Sequence, residues 1–345
     1  MKEFLPWSKS TFESATETYL NGRFSILDVQ LGSGCDGFCG YCDTPNRNLP
    51  CEINFDKLYS LIQQENGLYK WMFICGLGEP LWAGNKPILM QVLSFCQQSE
   101  IKCSIFTNGF QFDDEILEYV KAGVLFPLIK LDSFSLDKAV EIYRTDAAKK
   151  NLDSVGKLFD YARNTNFDYC QVAASIVPSK KNLNEVVDIV QKCVENNVFP
   201  MLGQLEYAGL AVDNYDEYLL TKDELLKLKS EISDVIGVEY STPFCPSVIA
   251  GIPIAYNNIV TVDKRSGLSC AWFWLEDPDM HELCNINDID SFLVAEKAIL
   301  DYRKTTISNM EKIADEIEIH PFGGCGGNVR NLLQKYVTLQ SSVAK

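Results

Sequence analysis

The chain has 345 residues, room for one large domain or two smaller ones, and 46% of them are apolar, which points to a globular fold. A formal net charge of −16 argues against nucleic acid as the main partner, and no apolar run approaches the roughly 20 residues of a membrane span. The N-terminal stretch lacks the long apolar core of a signal peptide, so a cytoplasmic location is expected; disulfides are rare there, and 13 cysteines beside 2 histidines favour thiolate-rich metal sites or catalysis.

Strand-like and helix-like segments alternate from Phe24 onward. FSILDVQ (24–30) reads as a strand, and NFDKLYSLIQQ as a helix with Phe55, Leu58, Leu61 and Ile62 on one face. WMFIC (71–75) is a short buried strand, followed by Ile88, Leu89, Val92, Leu93 and Cys96 at helical spacing. IKCSIF (101–106) is a strand, DDEILEYVKAG a helix capped by Gly123, and PLIKLD (127–132) a strand. A helix face over 152–162, the strand CQVAASIV (170–177), a helix face over 183–194 and FPMLGQLEY (199–207) complete the series. Such alternation implies parallel strands with helical crossovers, in a doubly wound sheet or a barrel. Ligands then sit at the C-terminal strand ends. TKDELLKLKSEIS, after about residue 220, reads as a solvated helix; beyond Val238, β-like runs broken by Gly, Pro and Asn-Asn suggest a smaller module with a hairpin around Lys264–Gly267.

Three stretches follow directly after predicted strands and would share one rim. The first is Leu31–Thr44, LGSGCDGFCGYCDT, with Cys35, Cys39 and Cys42. Three cysteines fall one short of a closed tetrahedral zinc site and cannot pair off as disulfides. A [4Fe–4S] cluster takes four thiolates for full ligation, so three leave one iron open to a further ligand. Gly32, Gly34, Gly37 and Gly40 let the backbone wrap closely. A structural zinc site completed by a remote Cys or His is the alternative on these residues alone. The other two stretches are Gly76–Pro80 and Thr107–Gly109.

Cys35-Asp-Gly-Phe-Cys39-Gly-Tyr41-Cys42 resembles the CxxxCxxC signature of the radical S-adenosylmethionine (radical SAM) superfamily, aromatic residue before the last cysteine included. Cys75-Gly76-Leu77-Gly78-Glu79-Pro80 resembles that family's GGGEP, with Leu77 replacing the middle glycine, and Thr107-Asn108-Gly109 its TNG. The resemblance covers roughly residues 20–235. It implies an α/β fold, a partial (β/α)6 barrel, over 24–235, after an N-terminal segment 1–23. It also implies a [4Fe–4S] cluster held by the three cysteines and by SAM, with Tyr41, Gly76, Gly78, Glu79 and Asn108 around SAM. By position, Arg144 would meet the SAM carboxylate, Ser175 the ribose and Leu205 the adenine. The implied reaction is reductive cleavage of SAM to a 5′-deoxyadenosyl radical that takes a substrate hydrogen.

Cys245, Cys270, Cys284 and Cys325 lie in 236–345. Cys245 and Cys270 bracket the expected hairpin as ligands do in the family's SPASM and twitch extensions, and Phe322-Gly-Gly-Cys325-Gly-Gly resembles a SPASM ending. A full SPASM domain has seven cysteines; four imply one auxiliary [4Fe–4S] cluster, against the alternative of a zinc site or inert thiols. Relatives with such modules oxidise, epimerise or rearrange small metabolites such as sugars and aminocyclitols, or modify ribosomal peptides and proteins. The short segment before the first strand leaves little room for a leader-recognition domain, which favours a small metabolite or a short peptide. A flavodoxin or ferredoxin is the expected electron donor. An epimerase would need a thiol hydrogen donor, for which Cys170 or a C-terminal cysteine outside the cluster is the candidate. The reading from another class is a non-catalytic Fe–S or zinc scaffold.

Overall fold

The computed structural model describes residues 1–345 apart from 43, 45–47, 204, 206–208, 265–266, 269–279, 317–320 and 323–345. Among the described residues nine strands form one sheet in the order β6-β5-β4-β3-β2-β1-β7-β8-β9. The first six are β1 (Ile26–Val29), β2 (Trp71–Ile74), β3 (Lys102–Thr107), β4 (Leu125–Lys130), β5 (Ala173–Ile176) and β6 (Phe199–Leu202). All pair in parallel, so the partial (β/α)6 architecture is present.

The crossovers are α2 (Phe55–Gln64), α3 (Lys86–Gln98), α4 (Asp114–Lys121), α5 (Leu136–Tyr143), α6 (Ala148–Arg163) and α7 (Val186–Glu195), preceded by α1 (Lys9–Leu20). Local chemistry marks their ends. Asp113 caps α4 by accepting from the Ile116 N–H, and Gly123 follows it at φ +72°. After β6 come α8 (Ala211–Tyr218) and α9 (Lys222–Ile236). Thr221 and Glu224 form a reciprocal capping box at the start of α9, and Gly237 ends it at φ +72°. The chain continues through α10 (Ser247–Ala250), β7 (Gly251–Ile254), β8 (Ile259–Asp263), β9 (Met280–Asn285) and α11 (Phe292–Glu316).

The C-terminal strands extend the barrel sheet: β7 pairs in parallel with β1, then β8 and β9 run antiparallel. The β7–β8 hairpin turns at the Asn-Asn break, with Asn258 at φ +73°. The β8–β9 connection leaves β8 at Asp263, where the hairpin expected around Lys264–Gly267 begins; the Gly267 N–H donates to the Asp263 carbonyl at 2.7 Å, and 265–266 and 269–279 lie outside the described residues.

Parallel register gives the two faces of the sheet different characters. Leu27, Met72, Cys103 and Leu125 share one row, and Val29, Ile74, Ile105 and Pro127 the next; this face is wholly apolar and buried. The other face has Asp28, Phe73, Ser104 and Phe126 in one row, and Lys130 beside Ser175 nearer the C-terminal rim. It lines the barrel lumen. Trp7 of the N-terminal segment enters the lumen against Phe106, with ring centroids 5.9 Å apart. Trp7, Phe73, Cys75, Ser104, Phe106, Cys245 and Ser247 enclose a cavity of about 10 Å³, room for about one water, so the lumen has a closed floor. Among the described residues no helix is long and apolar enough to cross a membrane.

Candidate active site

The three stretches singled out in the sequence meet at the C-terminal ends of β1, β2 and β3. After β1 the chain enters the triple-cysteine loop, whose shape depends on backbone packed on backbone. The Ser33 N–H donates to the Leu49 carbonyl at 2.8 Å, and the Ser33 hydroxyl accepts from the Leu49 N–H at 2.8 Å, tying the loop to its return arm. The Glu79 N–H donates to the Gly34 carbonyl at 2.9 Å, joining this loop to the one after β2. Gly78 stands at φ +69°, and a Cβ there would meet the Gly32 carbonyl oxygen and, at 2.8 Å, that of Gly34. Only glycine allows this approach.

Glu79 is 3% exposed and binds two loops together. Its Oε1 accepts from the Leu81 N–H at 2.9 Å and the Thr107 hydroxyl at 2.6 Å, and its Oε2 from the Asn108 N–H at 2.6 Å. Burial pushes its carboxyl up to about 7, against these hydrogen bonds, which favour the charged form. Asn108 reaches the cysteine loop: its Nδ2 lies 3.0 Å from Asp36 Oδ1 and 3.7 Å from Cys35 Sγ. Asn151 of α6 donates to the carbonyls of Asn108 and Lys130 at 2.8 and 2.7 Å, locking the ends of β3 and β4.

Across the lumen mouth, the Tyr41 hydroxyl donates to the buried Asp132 carboxylate. Lys130 Nζ lies 3.6 Å from Asp132 Oδ2 and 4.6 Å from the centre of the Tyr41 ring. Tyr41 packs in an apolar cluster with Phe110, Ile142, Tyr143 and Tyr218, which Cys39, Val177 and Leu205 border. Arg144, the left-handed residue (φ +52°) that ends α5, lies against Gly40: a Cβ at Gly40 would come 2.7 Å from Arg144 Nη2. The guanidinium donates to Asn214 Oδ1 at 3.1 Å, and Asn214 Nδ2 donates to the Gly40 carbonyl at 3.1 Å.

The rim therefore gathers Cys35, Cys39, Cys42, Tyr41, Gly76, Gly78, Glu79, Asn108, Arg144, Ser175 and Leu205. Ser175 lies in register with Lys130 on the lumen face and is partly buried. Cys170 lies elsewhere, which corrects its reading as a hydrogen donor. It precedes β5, at the opposite end of the strands from the cysteine loop, and is 2% exposed. Its Sγ donates to the Lys2 carbonyl at 3.6 Å, and its backbone bridges to Phe4, so it serves to hold the N-terminal segment.

Cys245 lines the lumen cavity, with Sγ 3.0 Å from the Ser247 hydroxyl. Cys284 is on β9 opposite Val260, and burial pushes its thiol up to about 11. Cys270 and Cys325 lie outside the described residues. Sequence reasoning passed over four polar residues: Asp28, fully buried with Oδ1 3.5 Å from Cys75 Sγ; Lys130; Asp132; and Asn151. For Asp28 and Lys130 the available signal was an ionisable residue at a lumen position of an otherwise apolar strand.

The donor set suits a cationic iron–sulfur group. Removal from water, then the charge of Cys42, push the Cys39 thiol well above its ordinary range; Lys130 pulls the other way, and Cys35 and Asp132 add to the rise. Three thiolates so close together need positive metal to offset them. Among the described residues no three His, Cys, Asp or Glu side chains converge to hold a single metal ion. A [4Fe–4S] cluster gives each thiolate its own iron and so takes three sulfurs spread around it.

The family model for the radical SAM superfamily matches residues 29–193, which contain all three rim loops. The match covers slightly under half of the chain, and solved structures with bound S-adenosylmethionine are among those similar to it. SuiB of Streptococcus suis bound to precursor peptide SuiA is similar at 16% identity and a TM-score of 0.57, over 81% of this chain and 66% of that one. SuiB bound to S-adenosylmethionine gives a TM-score of 0.59 at 16% identity, over 78% and 64%. The chain thus spans slightly under two thirds of SuiB in these two structures. Native anSMEcpe with bound AdoMet is similar at 13% identity and a TM-score of 0.57, over 93% of this chain and 100% of that one. At such identities the likeness carries the fold alone. No curated protein matches the sequence.

Proposed function

We propose that this chain cleaves SAM reductively at a [4Fe–4S] cluster held by Cys35, Cys39 and Cys42, and uses the radical to take hydrogen from a small polar metabolite or a short peptide in the lumen. The observation that carries this reading is the convergence of the triple-cysteine, Glu79 and Asn108 loops over a polar lumen floored by Trp7. When bound there, the cluster and SAM supply a 5′-deoxyadenosyl radical. The chain's own residues orient and enclose. Glu79 and Asn108 hold the loops after β2 and β3 against the cysteine loop, and Arg144 lies beside Gly40, close to where a SAM carboxylate would need a cation. Ser175 and Leu205 flank the lumen mouth, as contacts for ribose and adenine require. Lys130 offers a hydrogen bond to a polar substrate, and the closed floor keeps water out.

A second, auxiliary [4Fe–4S] cluster on Cys245, Cys270, Cys284 and Cys325 completes the proposal, with Cys245 on the lumen side. A maturase that modifies a ribosomally made precursor peptide is the second reading, favoured by the likeness to SuiB bound to a precursor peptide. A one-electron carrier such as flavodoxin or ferredoxin is the expected reductant. Anaerobic reconstitution with iron, sulfide, dithionite and SAM tests the core of this: 5′-deoxyadenosine should form, and a Cys35/Cys39/Cys42 triple-alanine variant should form none. Residual iron of about four atoms per chain in that variant supports the second cluster, and about zero removes it. The wild-type protein forming no 5′-deoxyadenosine with any candidate metabolite or peptide would favour a non-catalytic scaffold.

A further inference from the structure

A loop with glycines at 32, 34, 37 and 40 has little stiffness of its own, so whatever holds its cysteines in place must come from outside it. One residue that reaches it from outside is Asp132, two positions beyond the end of β4 and fully buried, which meets the loop at Tyr41. Every polar atom of Asp132 has a partner. Its N–H donates to the Tyr143 hydroxyl at 3.1 Å, and its carbonyl accepts from Asn182 Nδ2 at 3.0 Å. Its Oδ1 accepts from the Val177 N–H at 2.9 Å; its Oδ2 accepts from the Tyr41 hydroxyl and lies 3.6 Å from Lys130 Nζ. These partners belong to α5, the turn after β5, the cysteine loop and β4.

A buried carboxylate survives only where it is paired and hydrogen-bonded, and this one is both. The same ammonium that balances it also faces the Tyr41 ring at 4.6 Å. Packing fixes the ring itself, which meets Tyr218 edge-on with centroids 5.5 Å apart. Tyr41 is therefore held at its hydroxyl and at its ring. In the chain it directly precedes Cys42 and follows Cys39 with only Gly40 between them.

We propose that Asp132 is a positioning residue for the cluster loop. Through Tyr41 it sets the relative placement of Cys39 and Cys42, and with Lys130 it forms a charge-balanced support beneath them. The inference rests on the proposed cluster at Cys35, Cys39 and Cys42 and adds the residues that keep that set in one arrangement.

The test uses the full chain reconstituted anaerobically, as wild type, Tyr41→Phe, Asp132→Asn and the double variant. Iron per chain, the EPR spectrum of the reduced cluster with and without SAM, and the midpoint potential are the readouts. Tyr41→Phe removes one hydroxyl; it should keep wild-type iron and show an altered reduced-cluster EPR spectrum. Asp132→Asn should alter the same spectrum and move the midpoint to more positive values, because a negative charge is lost while Lys130 stays. The double variant should show the EPR spectrum of Asp132→Asn alone, since both changes break one contact. Wild-type spectra and potentials in both single variants, or additive changes in the double, would overturn the proposal while leaving the cluster reading intact. Wild-type protein that takes up no iron would overturn both. If Asp132→Asn does not fold, Tyr41→Phe decides by itself: an unaltered signal overturns the proposal.

Discussion

Glu79→Gln isolates the contribution of one buried carboxyl to the pH dependence of the fold. The group has an ordinary value of 4.5 and is pushed to about 7 by burial. Between those values the folded chain keeps Glu79 neutral while the unfolded chain has released the proton. Folding then takes up a proton, and the stability this group contributes is fully present below about pH 4.5 and lost as pH rises to about 7. The gap corresponds to roughly 3 kcal/mol. A glutamine stays neutral throughout and fills the same space; its amide nitrogen cannot accept a hydrogen bond, so it costs a constant amount at every pH and leaves the pH-dependent part to Glu79. Urea unfolding of wild type and variant, run side by side from about pH 4 to about pH 8, reads the difference directly. From the acid end to about pH 7.5 it should move in favour of the variant by roughly 3 kcal/mol. Two parallel stability curves would refute the reasoning, since they would mean that Glu79 is charged in the fold across the whole range.

Other substitutions probe other parts of the structure. Gly34→Ala places a Cβ inside the Trp82 ring; overpacking of this kind costs about 1–3 kcal/mol, and a lowered melting temperature with reduced iron uptake should follow. Arg303 of α11 is fully buried, donating to the carbonyls of Gly267 and Ile249 at 2.9 Å and of Val248 at 3.3 Å, with Tyr19 and Phe24 against its guanidinium. Arg303→Met strips donors from buried carbonyls, each worth about 1–3 kcal/mol, and should lower denaturation midpoints strongly without changing the EPR spectrum of the reduced cluster. Cys170→Ser should leave 5′-deoxyadenosine yield within about twofold of wild type, since its thiol donates to the Lys2 carbonyl at the opposite end of the strands from the cysteine loop; loss of activity there would return Cys170 to a chemical role.

The alternation of period-2 and period-3.6 segments made the six parallel strands and the crossover helices α2, α3, α4, α6 and α7 legible, because each buries one coherent apolar face. The helix α1 and the 25-residue α11 were not legible in the same way. Serines, threonines and glutamates dominate α1, and its packing against α10 is supplied by tertiary structure. The pairing of β7 with β1 was equally hidden, since strand neighbours distant in sequence leave no local trace. At the site, cysteine spacing and the two loop motifs pointed to one rim, because each follows a strand directly. Lys130 and Asp132 read only as the end of a strand, and their value comes from Tyr41, which folds across from a loop 91 residues before Asp132. Cys170 was misplaced for a related reason: periodicity puts a residue on a strand face but does not say which end of the barrel it occupies.

The most direct measurement is the EPR spectrum of the dithionite-reduced, reconstituted protein before and after SAM is added. A three-cysteine cluster with one open iron should give a component of the reduced [4Fe–4S] signal that changes on SAM addition and is absent from the Cys35/Cys39/Cys42 triple-alanine variant, whatever signal a second cluster leaves there. A spectrum with no SAM-responsive component, or such a component surviving unaltered in that variant, would contradict the assignment of the rim as a SAM-cleaving site.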